Sequence, residues 1–284
     1  MGFINYVTDV SQIKWKRLAR ACATEFVTTG FLILFALLLQ GGDLCTVGNV
    51  SLWIWVAGPV SGGHLNPWVS LLLAIQQQIT ILTSVLYIIC QIAGACLGSA
   101  VAIWVRETSP LTNGHNATTS QFGVLNLKLT SEEDLAVCFV LEALAALIFY
   151  LTLLSITDSR REQPPVTYLG PFLLGLSTIP GTALCKGVTY GCVNPVRALG
   201  PAIVNNNGKD LYIFVLATLA GALVANLLYL CLYDNLLSRE WVTNYCSYQV
   251  PTTDPAMKPS NSTDTLYPDK DESIDYSHYN YQIK

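Results

Sequence analysis

The sequence predicts an all-α membrane protein, with six transmembrane helices and two re-entrant half-helices arranged as an inverted repeat. Three observations carry this. The chain of 284 residues is 52% apolar and only 12% charged, against about a quarter charged in soluble domains, so lipid is its solvent. Six stretches approach the roughly 20 apolar residues needed to cross a bilayer. Two Asn-Pro pairs, Asn66-Pro67 and Asn194-Pro195, each open an apolar run too short to span.

The first span, about 19–40, follows Lys14, Lys16, Arg17 and Arg20. Its apolar run is longer than a secretory h-region and no small-residue cleavage site follows, so it reads as an uncleaved span. The others fall at about 44–61, 80–104, 134–156, 167–184 and 210–233. A polar connector, 105–133, contains Pro110, Asn113-Gly114 and Glu132-Glu133. The chain divides into an N-terminus (1–18), a membrane domain (19–235, with repeats at 19–104 and 134–235) and a polar tail (236–284) that reads as disordered.

Lys and Arg set the orientation. Ten lie on the side of the N-terminus and five on the other, which predicts both termini in the cytoplasm and an extracellular connector. Asn116-Ala117-Thr118 in that connector is a usable glycosylation acceptor. Asn49-Val50-Ser51 matches the same pattern but sits too near the membrane. The net charge of −4 gives no reason to expect a nucleic-acid partner. Nine cysteines, several inside apolar runs, do not read as a disulfide framework. No embedded acid–base or nucleophile pairing stands out, so an enzyme is not expected, nor is a metal or cofactor.

The two halves resemble each other. Glu25 in span one matches Glu142 in span four. Asn66 and Asn194 lie 128 residues apart, and Gly94 and Gly221 lie 127 apart. Three spans per repeat is odd, so the copies lie inverted. One interval breaks the symmetry. Glu25 to Asn66 is 41 residues, while Glu142 to Asn194 is 52. Either the turn at Gly41-Gly42-Asp43 is very tight or span two is truncated.

Asn is a strong N-cap and Pro is favoured at the first helical position. Residues 68–75 and 196–204 therefore read as half-helices entering from opposite faces. Non-helical backbone at membrane depth is tolerated only where it is buried or lines a watery path. Both half-helices point positive dipole ends at the centre, which bars cations and protons and favours a neutral hydrogen-bonding molecule. Arg197 adds a fixed charge just inside the second re-entrant segment, a placement that favours a pore-lining role over snorkelling to the interface.

Six spans, twin Asn-Pro boxes, the segment Ser61-Gly62-Gly63-His64-Leu65-Asn66-Pro67 and the run from Asn194 to Ala202 resemble the aquaporin (major intrinsic protein) family over about 15–235. The resemblance implies a passive water channel that excludes ions and protons, a homotetramer with one pore per subunit, and a multi-pass protein of the plasma membrane. It implies that Glu25 and Glu142 accept hydrogen bonds from the re-entrant loops. Gln91 belongs with that buried polar set. His64 resembles the histidine at the cytoplasmic mouth, where packing and gating are both open.

The chain departs from the pattern at several positions. The family usually has Ala after each Asn-Pro; here Trp68 and Val196 stand. The indole should overfill the place where the half-helices approach, or else lean into the pore. Gap-free counting puts Thr182, Gly191, Arg197 and Thr46 at the four constriction positions. Strict water channels usually carry His and often Cys where Thr182 and Gly191 stand, and an aromatic in span two. The filter thus reads as wide. Cys192, beside the usual mercury-sensitive position, is expected to face away from the pore. Glycerol-conducting relatives usually carry Asp where Ala198 stands. Three readings stay open: a water channel, a channel for glycerol, urea or similar solutes, and a poorly conducting protein with an adhesive or regulatory role.

Overall fold

The computed structural model describes residues 15–39, 42–108, 132–158 and 164–233. Asn116, the N-terminal segment before Trp15 and the tail after Tyr233 lie outside the described residues, as does most of the 105–133 connector. The described helices are α1 (Trp15–Leu38), α2 (Gly42–Ser61), α3 (Pro67–Ile75), α4 (Ile81–Thr108), α5 (Glu132–Thr157), α6 (Pro164–Leu176), α7 (Thr178–Cys185), α8 (Pro195–Val204) and α9 (Leu211–Tyr233). Five of them, α1, α2, α4, α5 and α9, are long and apolar enough to cross a membrane.

Span two is a full crossing. Its 20 residues rise about 30 Å at 1.5 Å each, the thickness of a hydrocarbon core. The shorter interval in the first repeat is spread along it: three residues separate α1 from α2 against six between α5 and α6, and four separate Ser61 from Asn66 against eight between Cys185 and Asn194. Gly42 opens α2 with a positive φ of 69°. Span two is not truncated, and only three residues link it to α1.

Span five differs from the continuous helix expected at 167–184. It is α6 followed by α7, with a break at Ser177. Pro180 stands in the first turn of α7 and has no N–H to give the carbonyl four residues back. Ser177 and Thr178 instead turn their hydroxyls onto the carbonyls of Leu174 and Gly175, both at 2.7 Å, a back-bonding that accompanies bent helices.

The helix pairs that carry the fold are related by the repeat: α1 packs most extensively on α4, and α5 on α9. Lipid tails are as apolar as leucine, so close van der Waals approach has to hold such pairs together. Glycine supplies it. A Cβ on Gly94 would stand 2.1 Å from the Phe26 carbonyl, one on Gly98 2.1 Å from that of Gly30, and one on Gly221 2.2 Å from that of Ala143. Backbone faces backbone in each case, and no rotamer change can relieve a clash. The half-helices join these pairs: α8 packs mainly on α4 of the other repeat, while α3 packs mainly on α4 of its own repeat and also touches α9.

This packing makes a testable demand. Gly94→Ala should lower the melting temperature of the detergent-solubilised protein, at an overpacking cost of about 1–3 kcal/mol. Gly48→Ala, where nothing lies within 4 Å, should leave it unchanged. Equal melting of Gly94→Ala and the parent would contradict glycine-limited packing.

Candidate functional site

Each Asn-Pro pair caps its half-helix in the same way. Asn66 is extended (φ −153°), and its side-chain oxygen accepts the N–H of Trp68 at 3.0 Å, with Pro67 opening α3. Asn194 (φ −108°) accepts the N–H of Val196 at 3.2 Å, with Pro195 opening α8. The residue before each Asn is left-handed: Leu65 at φ 50° and Val193 at φ 54°. A β-branched residue in that region is a genuine outlier and costs on the order of 1–3 kcal/mol, a strain that persists only where the surroundings over-determine it.

Two fully buried carboxylates do the over-determining. Glu25 accepts the N–H groups of His64 (3.0 Å) and Leu65 (2.7 Å), the Ser61 hydroxyl (2.6 Å) and the Gln91 amide (2.8 Å). Glu142 accepts the N–H groups of Tyr190 (3.1 Å), Gly191 (2.9 Å) and Cys192 (2.6 Å). Successive N–H groups converging on one anion form a nest. Gln91 also donates to Ser70 at 3.0 Å. His64 meets the same Ser70 through Nδ1 at 3.0 Å and lies edge-on to Tyr87, so its ring is buried and packed.

The two boxes are tied to each other. The Asn194 amide donates to the Leu65 carbonyl at 2.8 Å. The Asn66 amide donates to the Tyr150 hydroxyl at 2.9 Å, and that hydroxyl lies 3.0 Å from the Val193 carbonyl, which it reaches as a donor. Each Asn NH2 carries two hydrogens, so each keeps one beyond these bonds.

A cavity of about 100 Å³ runs past both boxes, room for several waters. Its wall brings together Thr46, Thr182, Gly191 and Arg197 with Asn66, Asn194 and His64. Arg197 is anchored to the Tyr190 carbonyl at 3.3 Å. Thr182 reaches Asp43 at 3.0 Å. Cys192 borders the cavity, but its side chain packs with Cys138, Ala198, Ile213 and Phe214, with Sγ 3.2 Å from the Asn194 carbonyl.

Trp68 and Val196 are not among the residues that line the cavity. The Trp68 indole donates to Thr218 on α9 at 3.0 Å and packs against the cluster holding Ala222 and Ala225. Val196 is fully buried against Ile33 and Ala95. The overfilled volume is thus taken up between α3 and α9, beside small side chains.

Sequence reasoning missed Tyr150, Ser61, Ser70 and Asn49. A phenol eight residues beyond Glu142 in an apolar span needs a partner, and that was the available signal for Tyr150. Asn49 matches a glycosylation pattern in the sequence, but an amide one turn beyond Thr46 is equally a membrane-embedded polar group.

Trp68→Ala should cost about 3 kcal/mol through the cavity left against α9 and lose the bond to Thr218. Water flux per folded protein should change little. Flux measured beside thermal melting checks this: a large rise in flux would mean that the indole obstructs the path.

The chain matches the family described as Major intrinsic protein over residues 12–229. It is 32% identical over 223 residues to aquaporin-5 of Rattus norvegicus, an alignment covering 74% of this chain and 79% of that one. With aquaporin-5 of Homo sapiens it shares 32% over 233 residues, 77% of this chain and 83% of the other. With aquaporin-1 of Canis lupus familiaris it shares 34% over 173 residues, 61% and 59%. The solved aquaglyceroporin from Plasmodium falciparum aligns at TM-score 0.64 and 20% identity, covering 78% of this chain and 98% of that one, which establishes a shared fold. Apolar crossings, paired half-helices and these matches lead to one conclusion: the chain is a multi-pass membrane channel of the major intrinsic protein family.

Proposed function

We propose that this protein conducts water passively, together with small neutral solutes such as urea or glycerol, and excludes ions and protons. The observation that carries the reading is the convergence of two helix N-termini on one cavity, each capped by an Asn amide with a spare N–H. Positive dipole ends and amide donors orient a passing water oxygen-first from both sides. A cation meets the same fields as a barrier, and Arg197 adds a fixed positive charge to the same wall. The channel works as a homotetramer in the plasma membrane with both termini cytoplasmic.

The solute part of the reading rests on the wall around Arg197. Thr46, Thr182 and Gly191 bring no aromatic ring to it, so the constriction is wider and less aromatic than a strict water filter. The indole of Trp68, directed at Thr218, weighs against the poorly conducting alternative.

Proteoliposomes should shrink faster than empty vesicles in a salt gradient, with no proton current. Correctly folded protein that adds no shrinkage would defeat the proposal. Arg197→Val should let proton or cation leak rise while water flow survives. A leak that stays at baseline would assign the barrier to the half-helix dipoles alone.

A further inference from the structure

Asn49 sits on α2, three residues beyond Thr46, so about 4.5 Å further along the helix axis. It is only 7% exposed, yet it lines the cavity between Thr46 and the Asn-Pro boxes. Its neighbours on that part of the wall include Leu32, Val50 and Ile54, all apolar. An amide there is costly unless its groups are used.

The protein uses only part of it. Nδ2 donates one hydrogen to the Leu32 carbonyl of α1 at 2.9 Å. Oδ1 accepts one bond, from Trp53 Nε1 at 3.0 Å. The Trp53 ring is itself held by stacking on Phe31 and Phe35, with centroids 4.9 and 5.9 Å away. A primary amide has two N–H donors and two acceptor lone pairs. One donor and one lone pair therefore remain, on a side chain whose plane is fixed from both ends. Helix-to-helix glue would account for the bond to Leu32. It does not account for a second anchor that holds the oxygen, nor for a position on the cavity wall.

We propose that Asn49 is a specificity-determining residue: a fixed amide that hydrogen-bonds neutral solutes able both to donate and to accept, such as urea and small polyols, as they pass from the Arg197 level to the Asn-Pro boxes. The proposal rests on the conduction reading above. Urea presents a carbonyl to the free N–H and an N–H to the free lone pair. Water needs no such station, because the Asn-Pro amides and its own neighbours in the file already satisfy it. Trp53 acts through Asn49 as a positioning residue.

The test measures water, urea and glycerol permeability of proteoliposomes holding the parent protein, Asn49→Leu and Trp53→Phe. The parent passes water and both solutes. Asn49→Leu lowers the urea-to-water permeability ratio about fivefold, the factor set by one net hydrogen bond, and lowers the glycerol ratio in the same direction. Trp53→Phe retains the aromatic stacking but frees the amide to turn, and it lowers the ratio by a smaller factor with melting nearly unchanged. Ratios that stay constant in Asn49→Leu, whether both fluxes hold or fall together, would make the amide helix glue and overturn the proposal. A parent that passes water but neither solute would also overturn it. A parent that passes no water defeats the conduction reading itself, a separate outcome. If Asn49→Leu does not fold, Trp53→Phe decides, and an unchanged ratio there overturns the proposal.

Discussion

The structure depends on two buried carboxylates holding irregular backbone at membrane depth. Hydrocarbon offers no water to unpaired N–H groups, so a re-entrant loop exists only if the protein supplies acceptors. Glu25 and Glu142 supply them from the middle of spanning helices, one in each repeat. The left-handed turns at Leu65 and Val193 follow from that constraint. With the N–H groups drawn to one side, the chain reverses within a few residues and delivers an Asn to each half-helix start. Without the carboxylates, both loops would hold unpaired donors and strained residues together.

The chemistry of the path follows from where those loops end. The two Asn side chains cap their own helices and also tie the boxes together through the Leu65 carbonyl and the Tyr150 hydroxyl. The junction is therefore fixed by bonds that do not depend on the residue after Pro. That explains how Trp68 and Val196 stand where the family usually has Ala. Both side chains leave the junction for helix interfaces of opposite halves, Trp68 toward α9 and Val196 toward α1 and α4. Glycine pairs at the main helix contacts bring the scaffold close enough to hold the loops.

Much of this was legible in the sequence because it is written in backbone chemistry. Apolar runs of the right length gave the spans. Asn followed by Pro gave the half-helix starts, since the cap and the missing N–H are local effects. The matched intervals gave the inverted repeat. What was not legible depended on side-chain direction. The break at Ser177 needed the joint effect of Pro180 and two hydroxyls that could also have faced lipid. The orientation of Trp68 depends on which neighbours have space, and position after an Asn-Pro pair does not encode that. Tyr150 and Asn49 were hidden for a related reason: a single polar residue in an apolar helix shows that a partner is needed but not which one.

The most direct test of the central claim is hydrogen exchange at the amides of Tyr190, Gly191 and Cys192 in Glu142→Gln, read beside water flux per folded protein. A Gln side chain puts an NH2 donor where a carboxylate oxygen now accepts. The account predicts that these amides lose protection and that water flux falls, while amides within α1 and α4 exchange as in the parent. Unchanged protection of the three amides together with unchanged flux would contradict it.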